Sequence, residues 1–367
     1  MISKYKKSWY CKILTILLAL VIVVAVPFSS LQAYAREEGQ PTETFYEEDI
    51  LLDTNTKTDK LIDNDQDSVD QISSTEAEPE VIILGSPGPT IWEVSDSDEL
   101  ENALNNFSSG DTIKLVANIT YNKGIEVANK SVTFDVDEYT LNVINDSGNG
   151  LEVISGGQVH LNGGGEFIVS GSPCGVKAVG SGAKAEVTYA SGSRTGGIGA
   201  YAYLGGQIIV NGDVNGPVGA EALGEGSQLT ITGNIKGTYT HGVKVSQGGE
   251  ITVHGKVTST IQDGVYAEQG EIVVQGDVEG QQNGASVSKN GHIHITGNVT
   301  GLGGSGVYAK NGGTAVIDGD VTGWKGSGAY CVQGEITVNG NAMVSDSGVK
   351  AGIKNSTITV KGDVIAN

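Results

Sequence analysis

From Gly206 to Asn367 the chain repeats one short pattern of apolar and polar positions. In the first clear copy Ile208 and Val210 alternate with Gln207, Ile209 and Asn211, and Gly212, Asp213 and Val214 follow. The pattern returns at Ser227–Ile235, Gly249–Val257, Gly270–Val278, Gly291–Val299, Gly313–Val321, Gly334–Ala342 and Ser356–Val364. Its second glycine falls at 212, 233, 255, 276, 297, 319, 340 and 362, a step of 21 or 22 residues. Alternation with period two predicts strands with one buried face, and a fixed step of this length predicts a solenoid. Each coil carries a second unit, as in Gly242-Val-Lys-Val245, Gly264-Val-Tyr-Ala267, Gly306-Val-Tyr-Ala309, Gly328-Ala-Tyr-Cys331 and Gly348-Val-Lys-Ala351. The expected fold is therefore all-β: a parallel β-helix of three-strand coils, with glycine at the corners and a column of Ile, Val, Leu and Ala inside.

Upstream, Thr112–Leu115, Gly124–Val127, Ser131–Val136 and Tyr139–Val143 alternate in the same way. Ser95 to Phe107 reads as a short amphipathic helix. Ser95 and Asp98 stand at capping-box spacing, and Leu100, Ala103, Leu104 and Phe107 lie on one face. Such a helix suits the end of a solenoid, where an unpaired edge and a bare apolar core invite aggregation. The helix with Glu-Leu-x-x-Ala-Leu, then Gly110-Asp-Thr-Ile-Lys-Leu115, Asn118-Ile-Thr120, Lys130-Ser-Val-Thr-Phe-Asp135 and Tyr139-Thr-Leu141, resembles the amino-terminal cap and first coils of right-handed parallel β-helix proteins of the pectin-lyase-like superfamily. The resemblance covers roughly Ile91 to Asn367. It implies a right-handed coil and a bacterial secreted or surface protein, either polysaccharide-active or adhesin-like. Asp137-Glu138 departs from it, where many relatives have an Asn-Gly turn. Ile144 to Gly205 is less regular, and a loop insertion around Gly171 to Gly175 is expected there.

The termini divide the chain further. Residues 1–35 read as a signal peptide: Lys4, Lys6, Lys7 and Lys12 surround or precede an uncharged run from Ile13 to Val26, and Ala33-Tyr34-Ala35 supplies small residues for cleavage. Residues 36–80 hold fifteen Asp or Glu against Arg36, Lys57 and Lys60 and read as an acidic disordered linker. Residues 81–110 form the cap and 111–367 the β-helix. Lys361 to Asn367 stops inside a coil, so the β-helix is expected to be truncated here, with further coils or a capping partner completing it.

Composition narrows the partners. The net charge of -21, with Arg36 and Arg194 as the only arginines, argues against nucleic acid. Cys174 and Cys331 are about seven coils apart, too far for a disulfide. Cys331 is expected in the core and Cys174 in a turn. No membrane span is expected in the mature chain.

Stacking turns sequence columns into surface stripes. The residues after the second glycine, Asp213, Asn234, Lys256, Asp277, Asn298, Asp320, Asn341 and Asp363, never place Asp on Asp. That favours a structural ladder over a calcium site, and no metal or cofactor is assigned. Glu271 and His292 fall one coil apart, with His294 on the same face, and are the one acid–base candidate for catalysis. Tyr201, Tyr266, Tyr308 and Tyr330 fall near one line, with Trp324 in a nearby turn, and are the candidate carbohydrate contacts. The expected function is a non-catalytic secreted or cell-surface β-helix whose elongated face meets a polysaccharide or a host or cell-surface ligand. The alternative is a polysaccharide lyase or glycoside hydrolase.

Overall fold

The computed structural model describes residues 88–193, 195–344, 347–352 and 355–366. The expected signal segment 1–35, the expected linker 36–80 and Arg194 lie outside the described residues. Among the described residues the chain is a parallel β-solenoid of about 12 turns. Its first sheet has 13 strands, from Ile91–Val94 to Thr357–Val360; the second has 12, from Ile119–Tyr121 to Val364–Ala366; the third has 11, from Ile125–Ala128 to Ser347–Ala351. Sheet neighbours belong to consecutive coils. Ile251 pairs with Ile272 and Ile272 with Ile293 in the first sheet, Val278 with Val299 in the second, and Ala267 with Val287 in the third. All of these are buried, and each inward Ile or Val contributes about 1.5–3 kcal/mol.

The helix runs Ser97–Asn106, and its N-cap is Asp96 rather than Ser95. Asp96 Oδ1 accepts from the Asp98 and Glu99 amides at 3.0 and 2.9 Å. Glu99 Oε2 reaches back to accept from the Ser95 amide and hydroxyl, both at 2.8 Å. Asp96 serves the cap by satisfying two amides that the helix itself leaves unpaired, and its negative charge suits the positive end of the helix. Leu100 and Ala103 are buried in the solenoid core.

The irregular coils are wider, not looped out where expected. Val132 pairs with Val159, a step of 27 residues; Val159 pairs with Ala185, a step of 26; Ala185 pairs with Ile208, a step of 23. Between Glu166–Gly171 and Cys174–Val179 only Ser172 and Pro173 intervene, so no insertion stands at Gly171 to Gly175. The added length lies mainly in the second-sheet strand that follows the first corner, Thr140–Asn145 in one coil and Glu166–Gly171 in the next, each longer than its regular counterpart Val278–Gly280. That larger perimeter encloses the Phe134 and Phe167 rings, 4.9 Å apart and fully buried. Where the coil narrows, alanine takes the inward positions of the third sheet: Ala200, Ala202, Ala220 and Ala222. Asp137 turns the first of these corners at φ 44°, the left-handed region that Asp tolerates.

Close approach dictates glycine at the corner into the third sheet. A Cβ on Gly264 would lie 2.6 Å from Val278 Cγ1 and 2.7 Å from the Gly284 carbonyl oxygen. Those are the inward residue of the second-sheet strand one coil on and the backbone of that same next coil, and neither can give way.

Candidate functional site

The residues after the second glycine form a hydrogen-bonded ladder. Asp213 Oδ1 accepts from the Asn234 amide at 2.6 Å, and Asn234 Oδ1 from the Lys256 amide at 2.9 Å. Asp277, Asn298, Asp320 and Asn341 then serve the amides of Asn298, Asp320, Asn341 and Asp363 at 2.7–2.9 Å. One side-chain oxygen of each is spent on the backbone of the following coil. Lys256 has no acceptor, so the ladder breaks there, and its Nζ pairs with Glu279 at 3.0 Å instead.

Glu271 and His292 do sit side by side, paired in register across consecutive strands of the first sheet. Both are exposed, and their side chains make no hydrogen bond or ion pair with each other. The bonded pair is a different one. His294 Nε2 lies 2.9 Å from Asp318 Oδ2, and Asn339 Nδ2 donates to Asp318 Oδ1 at 2.6 Å. These two donors, His294 first, hold the Asp318 carboxyl below the usual range. Asp318 pairs diagonally, one coil on and two positions along, which is why reading single columns missed it. Glu250 registers directly with Glu271 and takes a hydrogen bond from Gln228 Nε2 at 2.9 Å. Two open depressions meet here. One is lined by Glu271, His292, His294, Thr314 and Val316, the other by Glu250, Gln269, Glu271, Asn290 and His292 among others.

The tyrosine line exists on the outer face of the third sheet. The register runs Lys177, Tyr201, Glu221, Lys244, Tyr266, Ser286, Tyr308, Tyr330, Lys350. The four rings are half-buried rather than exposed. Tyr308 and Tyr330 stack on each other at 5.2 Å, with Lys310 Nζ 5.6 Å over one and Lys350 Nζ 5.3 Å over the other. Their faces are therefore turned along the column and not outward. Tyr201 stacks on Tyr203 at 5.7 Å, and burial, aided by the Glu221 charge, pushes its phenol up to about 12. Carboxylates partner the other cations of this face, Lys177 with Glu152 at 2.8 Å and Lys244 with Glu221 at 2.6 Å. The outward aromatic groups are on the loops into this sheet: Trp324 at 59% exposure and Tyr239 at 53%, with Ile261 at 44% in the coil after Tyr239. Tyr239 lies outside both repeat units, so periodicity carried no signal for it.

Beneath this face is a group that the columns did not flag. The His241 ring stacks on Tyr266 at 5.0 Å, and its Nδ1 is buried without a partner. One coil on, Asp263 is buried and accepts from the amide and Nδ2 of Asn283 at 2.9 and 3.0 Å. In preceding coils the same corner position holds Cys174, Ile198 and Val218, which pack together. Cys174 thus opens a strand instead of lying in a turn, and burial raises its thiol to about 11. Cys331 is fully buried in the core.

Among the described residues no three His, Cys, Asp or Glu side chains already converge as a metal cluster, and no helix is long and apolar enough to cross a membrane. Comparison with protein-family models, curated proteins and solved structures finds no match to this chain.

Proposed function

We propose that this is a non-catalytic secreted or cell-surface protein of adhesin-like type, related in fold to the pectin-lyase-like superfamily, whose β-solenoid presents a long, regular face to a polysaccharide or a cell-surface ligand. One observation carries this reading. From Ile208 to Ile358 the first-sheet strands are in one-to-one register, with steps of 21 or 22 residues, and among the described residues no loop is long enough to wall a cleft. Catalysis on a solenoid usually needs such loops to position groups and exclude water. Trp324 and Tyr239, whose rings project from the loops, are the contacts best placed to lie against sugar rings. Tyr201, Tyr266, Tyr308 and Tyr330, half-buried on the outer face of the third sheet, add to this face.

A second reading, polysaccharide cleavage, rests on the registered pair Glu271 and His292 at the meeting of two depressions. One experiment separates the two. The purified chain is incubated with polygalacturonate and neutral glycans, and both retention and unsaturated or reducing products are followed. Retention without products, weakened in Trp324→Ala and Tyr239→Ala, supports the binding face. Turnover lost in Glu271→Gln or His292→Ala overturns it in favour of the enzyme.

A further inference from the structure

We propose that His292 and His294 form a binding site for a divalent transition-metal ion, with Glu271 as a third ligand. The site is not a column of the repeat but two outward positions of a single strand, His292–Ile295. Alternate residues of a strand share a face, about 6.6 Å apart along the chain. Two imidazoles at that spacing can turn toward one ion between them, at about 2.0–2.1 Å from each nitrogen. The strand beneath is rigid, since Ile293 and Ile295 are 2% and 0% exposed and pair with Ile272 and Val274 below and with Ala315 and Ile317 above. Both histidines are exposed, and Glu271 joins them in lining one open depression over Thr314 and Val316.

The tautomer of His294 is decided by its partner. Ionised Asp318 can only accept, so His294 Nε2 carries the proton at the 2.9 Å contact and Nδ1 keeps its lone pair. A carboxylate on the far nitrogen is the arrangement that orients a metal-binding histidine and raises its basicity. Asp318 is itself fixed by Asn339 at 2.6 Å. His292 has no hydrogen-bond partner to release before it can bind, nor has Glu271. Two neutral imidazoles and one carboxylate, with water completing the shell, suit Zn²⁺, Ni²⁺ or Cu²⁺ and not Ca²⁺ or Mg²⁺. Because the three side chains do not converge, binding requires His292 and Glu271 to turn on the fixed backbone toward Nδ1 of His294, which stays on Asp318.

The test uses the full chain stripped with chelator and titrated calorimetrically with Zn²⁺ and with Ni²⁺. One equivalent is expected to bind and not to be displaced by excess Ca²⁺. His292→Asn and His294→Asn should each weaken it more than tenfold. Asp318→Asn, which touches no metal, should weaken it roughly ten- to hundredfold. In ring NMR spectra Ni²⁺ should broaden His292 and His294 while sparing His160, His241 and His254. Unchanged affinity in the doubly substituted His292→Asn, His294→Asn chain would place the metal elsewhere and overturn the proposal. So would broadening of all five histidines alike, or no binding in the unsubstituted chain. Melting curves confirm that each variant is folded.

Discussion

Trp92 Nε1 donates a hydrogen bond to Asp111 Oδ2 at 2.9 Å, tying the first strand to the start of the second coil. The same carboxylate accepts from the Thr90 amide at 2.7 Å and the Ser108 amide at 2.8 Å, and Asp111 is buried. One side chain therefore closes three donors at the end of the stack, where among the described residues no further coil supplies acceptors.

The Asp111 pKa is held below its ordinary value, chiefly by Trp92 and then by the Ser108 and Thr90 amides. A depressed carboxyl stabilises the fold fully above its unfolded value, about 3.9, and that contribution is lost as pH falls through the folded value. Asp111→Ala should melt below the unsubstituted chain at pH 7, with hydrogen exchange accelerated first in Ile91–Val94 and in the helix. The gap should shrink below pH 4. Equal melting temperatures at pH 7 would show that the three donors are satisfied by water.

The break at Lys256 gives a prediction of opposite sign. Lys256→Asn supplies an acceptor at the level of the Asp277 amide, joining the two halves of the ladder. A net hydrogen bond contributes about 0.5–1.5 kcal/mol. The exposed Lys256–Glu279 pair that is lost is worth about 0–1 kcal/mol. Lys256→Asn should therefore leave stability unchanged or raised in denaturant titration. Asn298→Ala, inside the ladder, should lower it by about 1 kcal/mol. A clear loss in Lys256→Asn would mean that the ladder is not additive.

The stack itself was legible because burial imposes period two within a strand and the coil imposes 21 or 22 between strands. Ile272, Val274 and Val278 could be placed inside from those rules alone. The wider coils were not, because Gly163-Gly164-Gly165 and Gly171 to Gly175 look alike as text. Which glycine run is a corner and which is a two-residue step is set by where the strands begin and end, Glu166–Gly171 and Cys174–Val179. Asp318 escaped notice because its partner His294 stands in another column, and the tyrosines looked exposed because alternation reports which face a residue is on and not how its ring tilts.

Corner glycines should be less tolerant than their lack of a side chain suggests. Gly264→Ala forces a methyl against Val278 Cγ1 and the Gly284 carbonyl and should cost about 1–3 kcal/mol. Ile272→Ala, a core truncation in the next coil, should cost about 2–5 kcal/mol. Gly88→Ala, with nothing within 4 Å of the new atom, should be close to neutral and serves as the control. In a solenoid each coil contacts only its neighbours, so the loss should appear as local exchange around Val257–Val287 before it lowers the whole transition.

His241 should make this protein sensitive to mild acid. Burial lowers its pKa below the ordinary 6.5, and the Asp263 carboxylate opposes that shift only in part, with Lys244 adding to it and Glu221 working against it. The folded chain therefore holds fewer protons at this site than the unfolded chain once pH drops below about 6.5. Stability from neutral His241 is complete above that value and is lost as pH falls toward the folded value. The buried Nδ1 is a second cost, since it is taken from water without a full hydrogen bond in return. His241→Phe keeps a flat ring against Tyr266 and removes both the proton site and the unpaired nitrogen. It should melt at or above the unsubstituted chain at pH 7, and it should lose less stability between pH 7 and pH 5. A parallel decline of the two proteins over that interval would locate the acid sensitivity in other groups and leave His241 a neutral packing residue.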